Sequence, residues 1–216
     1  TILYLKSNCI FITMKPLFSY CIFFLVLIFL GCQSQKNSIK TYSEFQKAQN
    51  IFFKDASTSP LKPKDLKAFN GIDFFPIDSS FVVKSQLKRT PNTSYFEMKT
   101  TTERVTKERV FGTISFRLNE SYFELNVYQS EPSLKSDAES DYLFLPFLDD
   151  SNGETTYGGG RYIDLTIPSG DILVIDFNKA YNPYCAYNEK YSCPIVPREN
   201  YLPLKVTAGV KRFKDY

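Results

Sequence analysis

Neither histidine nor tryptophan occurs anywhere in the 216 residues. Without histidine there is no Ser-His-Asp or Cys-His mechanism, and the commonest ligand of transition metals is missing. Any general acid or base must then be Asp, Glu, Tyr, Lys or Cys. Charge of one sign is lacking too: a formal net charge of +3 and the absence of a basic run argue against a nucleic-acid partner. Glycine is scarce, nine in all, so its placement is informative: four lie between Gly153 and Gly160, three of them consecutive in "TYGGGRY". What is abundant is aromatic. Twenty Phe and 15 Tyr favour strands and leave many phenols needing partners. The length suits one well-filled domain.

The N-terminal stretch "MKPLFSYCIFFLVLIFLGCQSQ" starts at Met14 and has one basic residue, Lys15, before an apolar run from Leu17 to Leu30. That run is shorter than the roughly 20 apolar residues a spanning helix needs, so it reads as a signal peptide, with an uncleaved anchor helix as the alternative. Leu30-Gly31-Cys32 resembles a bacterial lipoprotein signal, which implies cleavage before Cys32 and acylation of that cysteine. Several acyl chains at about 0.8 kcal/mol per buried methylene would hold the protein to a membrane. Residues 1–31 are therefore read as upstream residues plus signal, 32–40 as a polar tether, and 41–216 as one domain. The expected location is the cell envelope, lipid-anchored, with the outer membrane facing the periplasm favoured because no acidic pair follows Cys32.

Past the tether, Phe45, Ala48 and Phe52 stand at helical spacing with Thr41 or Ser43 as caps, and Pro60 and Pro63 close the helix. From Phe69 the period changes. "FVVKSQL", "SYFEMKT", "RVFGTISFRL", "YFELNVYQ", "YLFLPFL", "RYIDLTI", "DILVIDF" and "LPLKVTAG" are short β-branched and aromatic runs broken by turn residues. They predict a mostly-β fold, an antiparallel barrel or a sandwich-like single domain with a short N-terminal helix. Two hairpins are expected: one turning at Asn119-Glu120 between Ile114/Phe116/Leu118 and Phe123/Leu125/Val127, the other at Pro168-Ser169-Gly170. "QSEPSLKSDAESD" reads as a polar connector.

Two motifs carry chemistry. The glycine run is neither a phosphate loop nor a dinucleotide fingerprint, since strand character follows it, and no cofactor is expected. It is either a turn with positive φ or a place where Gly158, Gly159 and Gly160 bring backbone amides to a ligand, with Tyr157 beside them and Arg161 as a bidentate donor. In "DFNKAYNPYCAYNEKYSCP", Asp176 ends an apolar strand and Asn178, Tyr181 and Asn182 follow. A loop this rich in amides and phenols suits polar ligands, or else satisfies its own backbone. Cys185 and Cys193, eight positions apart, form a disulfide in an oxidising compartment. The alternative is a reactive Cys185 whose pKa is lowered by Arg161 or Arg198. Two thiolates without histidine leave zinc short of ligands, so no metal site is expected. Asp176 and Glu199 are the candidate acid and base if the protein is an enzyme.

The motifs "DFNxAYNPxCAY" and "CPxxPxEN", the tyrosine-glycine run, and the earlier "FFKDASTSPL" and "FNGIDFFPID" resemble an uncharacterised bacterial family, domain-of-unknown-function family 1684. The resemblance spans nearly all of the chain after the tether. It implies a mostly-β fold and no particular activity. The leading expectation is an envelope lipoprotein that binds a small polar or anionic molecule where the C-terminal motifs meet. A histidine-free hydrolase or transferase, and a structural or interaction module without a pocket, are the alternatives.

Overall fold

A computed structural model describes residues 43–131 and 141–214. The signal segment, Cys32, the tether and most of the polar connector lie outside the described residues. The first element is helix α1 (Glu44–Lys54). Ser43 caps it through a reciprocal box: the Gln46 amide donates to Ser43 Oγ at 3.2 Å, and the Ser43 amide donates to Gln46 Oε1 at 3.1 Å. Its buried face is Gln46 and Phe53, so the stripe is rotated from the Phe45/Ala48/Phe52 spacing. Phe53 wins because it meets the Tyr187 ring at 4.7 Å, and with Leu61, Ile72, Phe74 and Val210 it builds a small core of its own. A short helix, α2 (Pro63–Lys67), follows with proline at its first position.

Eight strands then form one curled half-barrel sheet: β1 (Val82–Arg89), β2 (Phe96–Lys99), β3 (Val105–Leu118), β4 (Ser121–Ser130), β5 (Tyr142–Asp149), β6 (Arg161–Thr166), β7 (Ile172–Asp176) and β8 (Tyr201–Leu202). The order is β6-β5-β4-β3-β1-β7, with β2 on β3 and the two-residue β8 parallel to β5; every other pairing is antiparallel. Alternation along the strands puts Val83 and Leu87, Ile114, Phe116 and Leu118, Leu125 and Val127, Leu143, Leu145 and Phe147, and Leu173 and Ile175 into a single core inside the curl.

The first expected hairpin is present. Leu118 faces Ser121 across Asn119 and Glu120, whose φ values are 47° and 66°. Two left-handed residues in a two-residue loop make a type I′ turn, which matches the twist of the strands. Glu120 is the strained member. Glu120→Gly is expected to stabilise the domain by about 1 kcal/mol, because only glycine takes this φ without steric cost. The exposed Arg117–Glu120 pair it removes contributes little. Urea unfolding measures this, and a lower midpoint for the variant would contradict the turn assignment.

The second expected hairpin is absent. β6 pairs with β5 at one end of the sheet, and β7 pairs with β1 at the other. The Pro168-Ser169-Gly170 turn joins opposite edges of the sheet. Six Cα steps from Thr166 to Ile172 reach at most about 20 Å, so the sheet must curl for them to meet. Arg89 holds the connection, its guanidinium donating to the carbonyls of Pro168 at 2.8 Å and Gly170 at 2.9 Å. "LPLKVTAG" is also mostly not a strand: only Tyr201–Leu202 pairs. Beyond it, the carbonyls of Val206, Ala208 and Val210 are taken by a buried side chain.

Candidate functional site

That side chain is Arg161. It is fully buried, and its Nη2 donates to Asp149 Oδ2 at 2.9 Å and to the Val206 carbonyl at 2.8 Å. Nη1 donates to the carbonyls of Ala208 and Val210. The guanidinium lies over the Phe147 ring, 5.3 Å from its centroid. Asp149 in turn accepts the amides of Ser151 at 2.8 Å and Val206 at 3.2 Å. One arginine thus does the work of a missing ladder for the 206–210 segment, and it is closed off from solvent.

The glycines serve this placement. Gly160 has φ of 88°, and a Cβ there would come within 2.7 Å of both the Phe147 carbonyl and a Val196 methyl. A Cβ on Gly159 would sit 2.6 Å from the Tyr157 ring. Gly158 makes no such approach, its nearest neighbour being 3.8 Å away. The chain therefore passes beneath Tyr157 and against β5 so that Arg161 enters the core. Tyr157 packs with the small core around Phe53.

The loop residues divide. Asn178 is buried and structural, accepting from the Asp78 amide at 2.9 Å and donating to the Asp78 carbonyl at 2.8 Å. Asp176 caps the turn that holds it, accepting from Asn178 N at 3.0 Å. Asn182, 1% exposed, donates to the Lys211 carbonyl at 2.9 Å. Glu199 receives the Tyr128 hydroxyl at 3.3 Å. No hydrogen bond joins Asp176 to Glu199 among the described residues, and neither lines the cavity that the rest of the loop builds.

That cavity, about 390 Å³, takes Tyr181, Pro183, Tyr184, Ser192, Cys193 and Pro194 from the loop. Strands β3 to β6 supply its other wall, with Glu108, Ser130, Tyr142, Phe144, Tyr162 and Asp164, and Gln49 of α1 reaches in from the side. Five aromatic rings line it. Phe144 and Tyr162 meet edge to face at 4.8 Å, and Tyr162 and Tyr181 at 5.9 Å. The hydroxyls of Tyr142 and Tyr181 both donate to Asp164 Oδ1, at 2.8 and 2.6 Å; no hydrogen bond falls on Oδ2 among the described residues. Burial, and then the charge of Asp164, push both phenol pKa values up, so they stay protonated donors. Glu108 is 3% exposed, with the Ser130 hydroxyl 2.9 Å from each of its oxygens. Burial raises its pKa, and the Ser130 hydroxyl opposes the shift. No Lys or Arg lies among the described residues of the lining. The anionic ligand expected from Arg161 thus finds no cationic partner here.

Cys193 is on this wall, and Cys185 is on the wall of a second cavity of about 360 Å³. Both are free thiols in the structure.

The fold and cavity define a class: a single antiparallel half-barrel with an aromatic, acidic pocket between its sheet and a long C-terminal loop. The chain belongs to the family described as "Protein of unknown function (DUF1684)", which it matches over residues 67–211. The resemblance drawn from the motifs holds. Among solved structures it is similar to the uncharacterized protein from gene locus rrnAC0354 of Haloarcula marismortui, determined in solution by NMR. The two are 30% identical, with 77% of this chain and 89% of that one covered and a TM-score of 0.62. No curated protein matches the chain.

Proposed function

We propose that the protein is an envelope lipoprotein, anchored through acylated Cys32, whose half-barrel binds a small polar organic cation. The observation that carries the ligand class is the lining of the 390 Å³ cavity: five aromatic rings, Glu108 and Asp164, with no basic side chain among the described residues. Ring faces attract ammonium groups by about 0.5–2 kcal/mol each, more when water is excluded. A carboxylate pairing with a cation through a charge-assisted bond adds about 1.5–3 kcal/mol. The phenols held on Asp164 fix their rings before a ligand arrives, so little ordering is left for binding to do.

The test is calorimetry with tetramethylammonium, a primary alkylamine and acetate as probes. The cations are expected to bind and acetate not. Glu108→Gln is expected to weaken cation binding about 10- to 100-fold, the equivalent of one charge-assisted bond. Affinity is expected to rise with pH, since Glu108 attracts a cation only when ionised and its raised pKa delays that ionisation. The raised pKa of Tyr142 keeps that phenol neutral, so the part of the slope that Glu108 carries should vanish in the Gln variant. The unliganded protein runs the other way. A carboxyl with a raised folded pKa contributes stability fully present below its unfolded pKa and lost as pH rises through the folded one. Tighter binding of acetate than of the cations, or wild-type affinity in Glu108→Gln, would overturn the reading.

A further inference from the structure

Two thiols stand between two cavities. The Cys185 amide donates to Cys193 Sγ at 3.1 Å, which brings the Cys193 thiol against the Cys185 backbone. Cys193 is anchored on both sides to Thr101: its amide donates to Thr101 Oγ1 at 3.1 Å, and its carbonyl accepts the Thr101 amide at 2.8 Å. Cys185 is held in a single 3-10 turn, Tyr184–Ala186. With both backbones held and Cys193 Sγ already against the Cys185 main chain, bond formation asks for side-chain rotation and not for refolding of the loop. The Tyr157 hydroxyl lies 3.8 Å from Cys185 Sγ.

The two sulfurs are not equivalent. Cys185 is half-buried and opens onto the cavity whose wall carries Lys62, Lys64 and Lys214 against Asp65 and Glu189. Lys62 pairs with Glu189 and Lys214 with Asp65, while Lys64 has no ion pair among the described residues. The thiol of Cys193, donating to Cys185, lowers the Cys185 pKa to about 6. The same bond, with burial, raises that of Cys193. In such a pair the exposed sulfur attacks and the buried one resolves.

We propose that Cys185 and Cys193 form a reversible dithiol–disulfide couple that exchanges with small anionic disulfides entering on the lysine side. The Cys185 thiolate attacks one sulfur of the incoming disulfide, forming a mixed disulfide and releasing one thiolate, which takes up a proton. Cys193 then loses its proton and attacks Cys185 Sγ, releasing the second thiolate. Two protein thiols are oxidised to one disulfide, and one small disulfide is reduced to two thiols. Cys193 also lines the aromatic cavity, so the state of the couple reshapes that wall.

The purified protein is equilibrated with glutathione and glutathione disulfide at varied ratios, then alkylated, and the peptides carrying Cys185 and Cys193 are weighed. Their free-thiol content is expected to titrate with the ratio. Cys193→Ser is expected to trap one glutathione on Cys185, and Cys185→Ser to trap none. Hydroxyethyl disulfide, which is neutral, is expected to react severalfold more slowly at low salt, and Lys64→Ala to narrow that gap. A pair that stays fully oxidised at every ratio is an inert cross-link and overturns the proposal; so does one that stays fully reduced. Trapping on Cys193 instead would overturn the assignment of the attacking sulfur. Equal rates for the two disulfides in the wild type would overturn the anionic preference.

Discussion

Arg161→Ala is expected to lower the melting temperature by about 10 °C or more, on about 3–5 kcal/mol for breaking a buried charge pair and 2–4 °C per kcal/mol in a domain of this size. The loss has two parts. Asp149 is left buried without its cation, and the carbonyls of Val206, Ala208 and Val210 are left without donors. The parts can be separated. If the ion pair alone mattered, replacing Arg161 and Asp149 together by apolar residues of similar volume would restore stability, as buried pairs often permit. Here the double variant Arg161→Met/Asp149→Leu is expected to stay well below wild type, because three carbonyls are still orphaned. Arg161→Lys keeps the charge but cannot fork to several acceptors, so it falls between. Each folded variant is expected to keep the aromatic cavity, since Arg161 does not line it. Differential scanning calorimetry decides. An Arg161→Ala protein that melts like wild type would mean the arginine is not what holds the 206–210 segment.

How far the sequence was legible can be argued from these same residues. Short β-branched and aromatic runs marked the long strands, and alternation on either side of Asn119-Glu120 marked its hairpin, because a two-residue loop between matched alternating runs leaves one pairing open. Pro168-Ser169-Gly170 is a turn as read, but turn chemistry does not say which strands pair, and β6 and β7 find other partners. "LPLKVTAG" has strand composition without strand structure because a side chain 45 to 49 residues earlier in the chain, in β6, supplies its donors; composition does not show such a substitution.

The site was half legible for a related reason. The Asn- and Tyr-rich loop was singled out, and it does supply six lining residues from Tyr181 to Pro194. Its asparagines, though, turned inward to fix the loop, while the tyrosines carry the wall. Arg161 beside three glycines looks like a ligand-binding pair in one dimension, and only burial shows that the glycines let the arginine in. Glu108 and Asp164 escaped notice because each is an acid within an alternating strand, where such residues ordinarily face solvent. Glu108 does not: its neighbours Phe96 and Ser130 on the flanking strands enclose it. A carboxyl opposite a serine in "VTKERV" is a weak signal that becomes specific once the sheet is curled.

Asn200 is expected to rival Arg161 in cost, and for the same kind of reason. Strands β4 and β5 are neighbours in the sheet, yet among the described residues their ladder is the single pair Tyr128 and Phe144. Where it opens, the fully buried Asn200 is wedged in: its Oδ1 accepts the Asn126 amide at 2.9 Å, and its Nδ2 donates to the carbonyls of Asn126 at 2.8 Å and Pro146 at 2.7 Å. Pro146 has no amide to offer a ladder of its own. The backbone carbonyl of Asn200 accepts the Leu148 amide at 2.8 Å, so main chain and side chain together close the gap. Asn200→Ala leaves three buried backbone groups unpaired at about 1–3 kcal/mol each, and a loss of about 4 kcal/mol is expected. Asn200→Asp keeps the shape but offers two acceptors to two carbonyls, so at neutral pH it should be at least as unstable as alanine. Burial among carbonyls would raise the folded pKa of that new carboxyl. Its protonated form regains one donor, so the Asp variant is expected to recover stability as pH falls through that raised value, while the Ala variant does not. Urea unfolding of both variants across pH separates the two. An Asp variant as stable as wild type at neutral pH, or one with no acid recovery, would show that Nδ2 is not holding the two strands together.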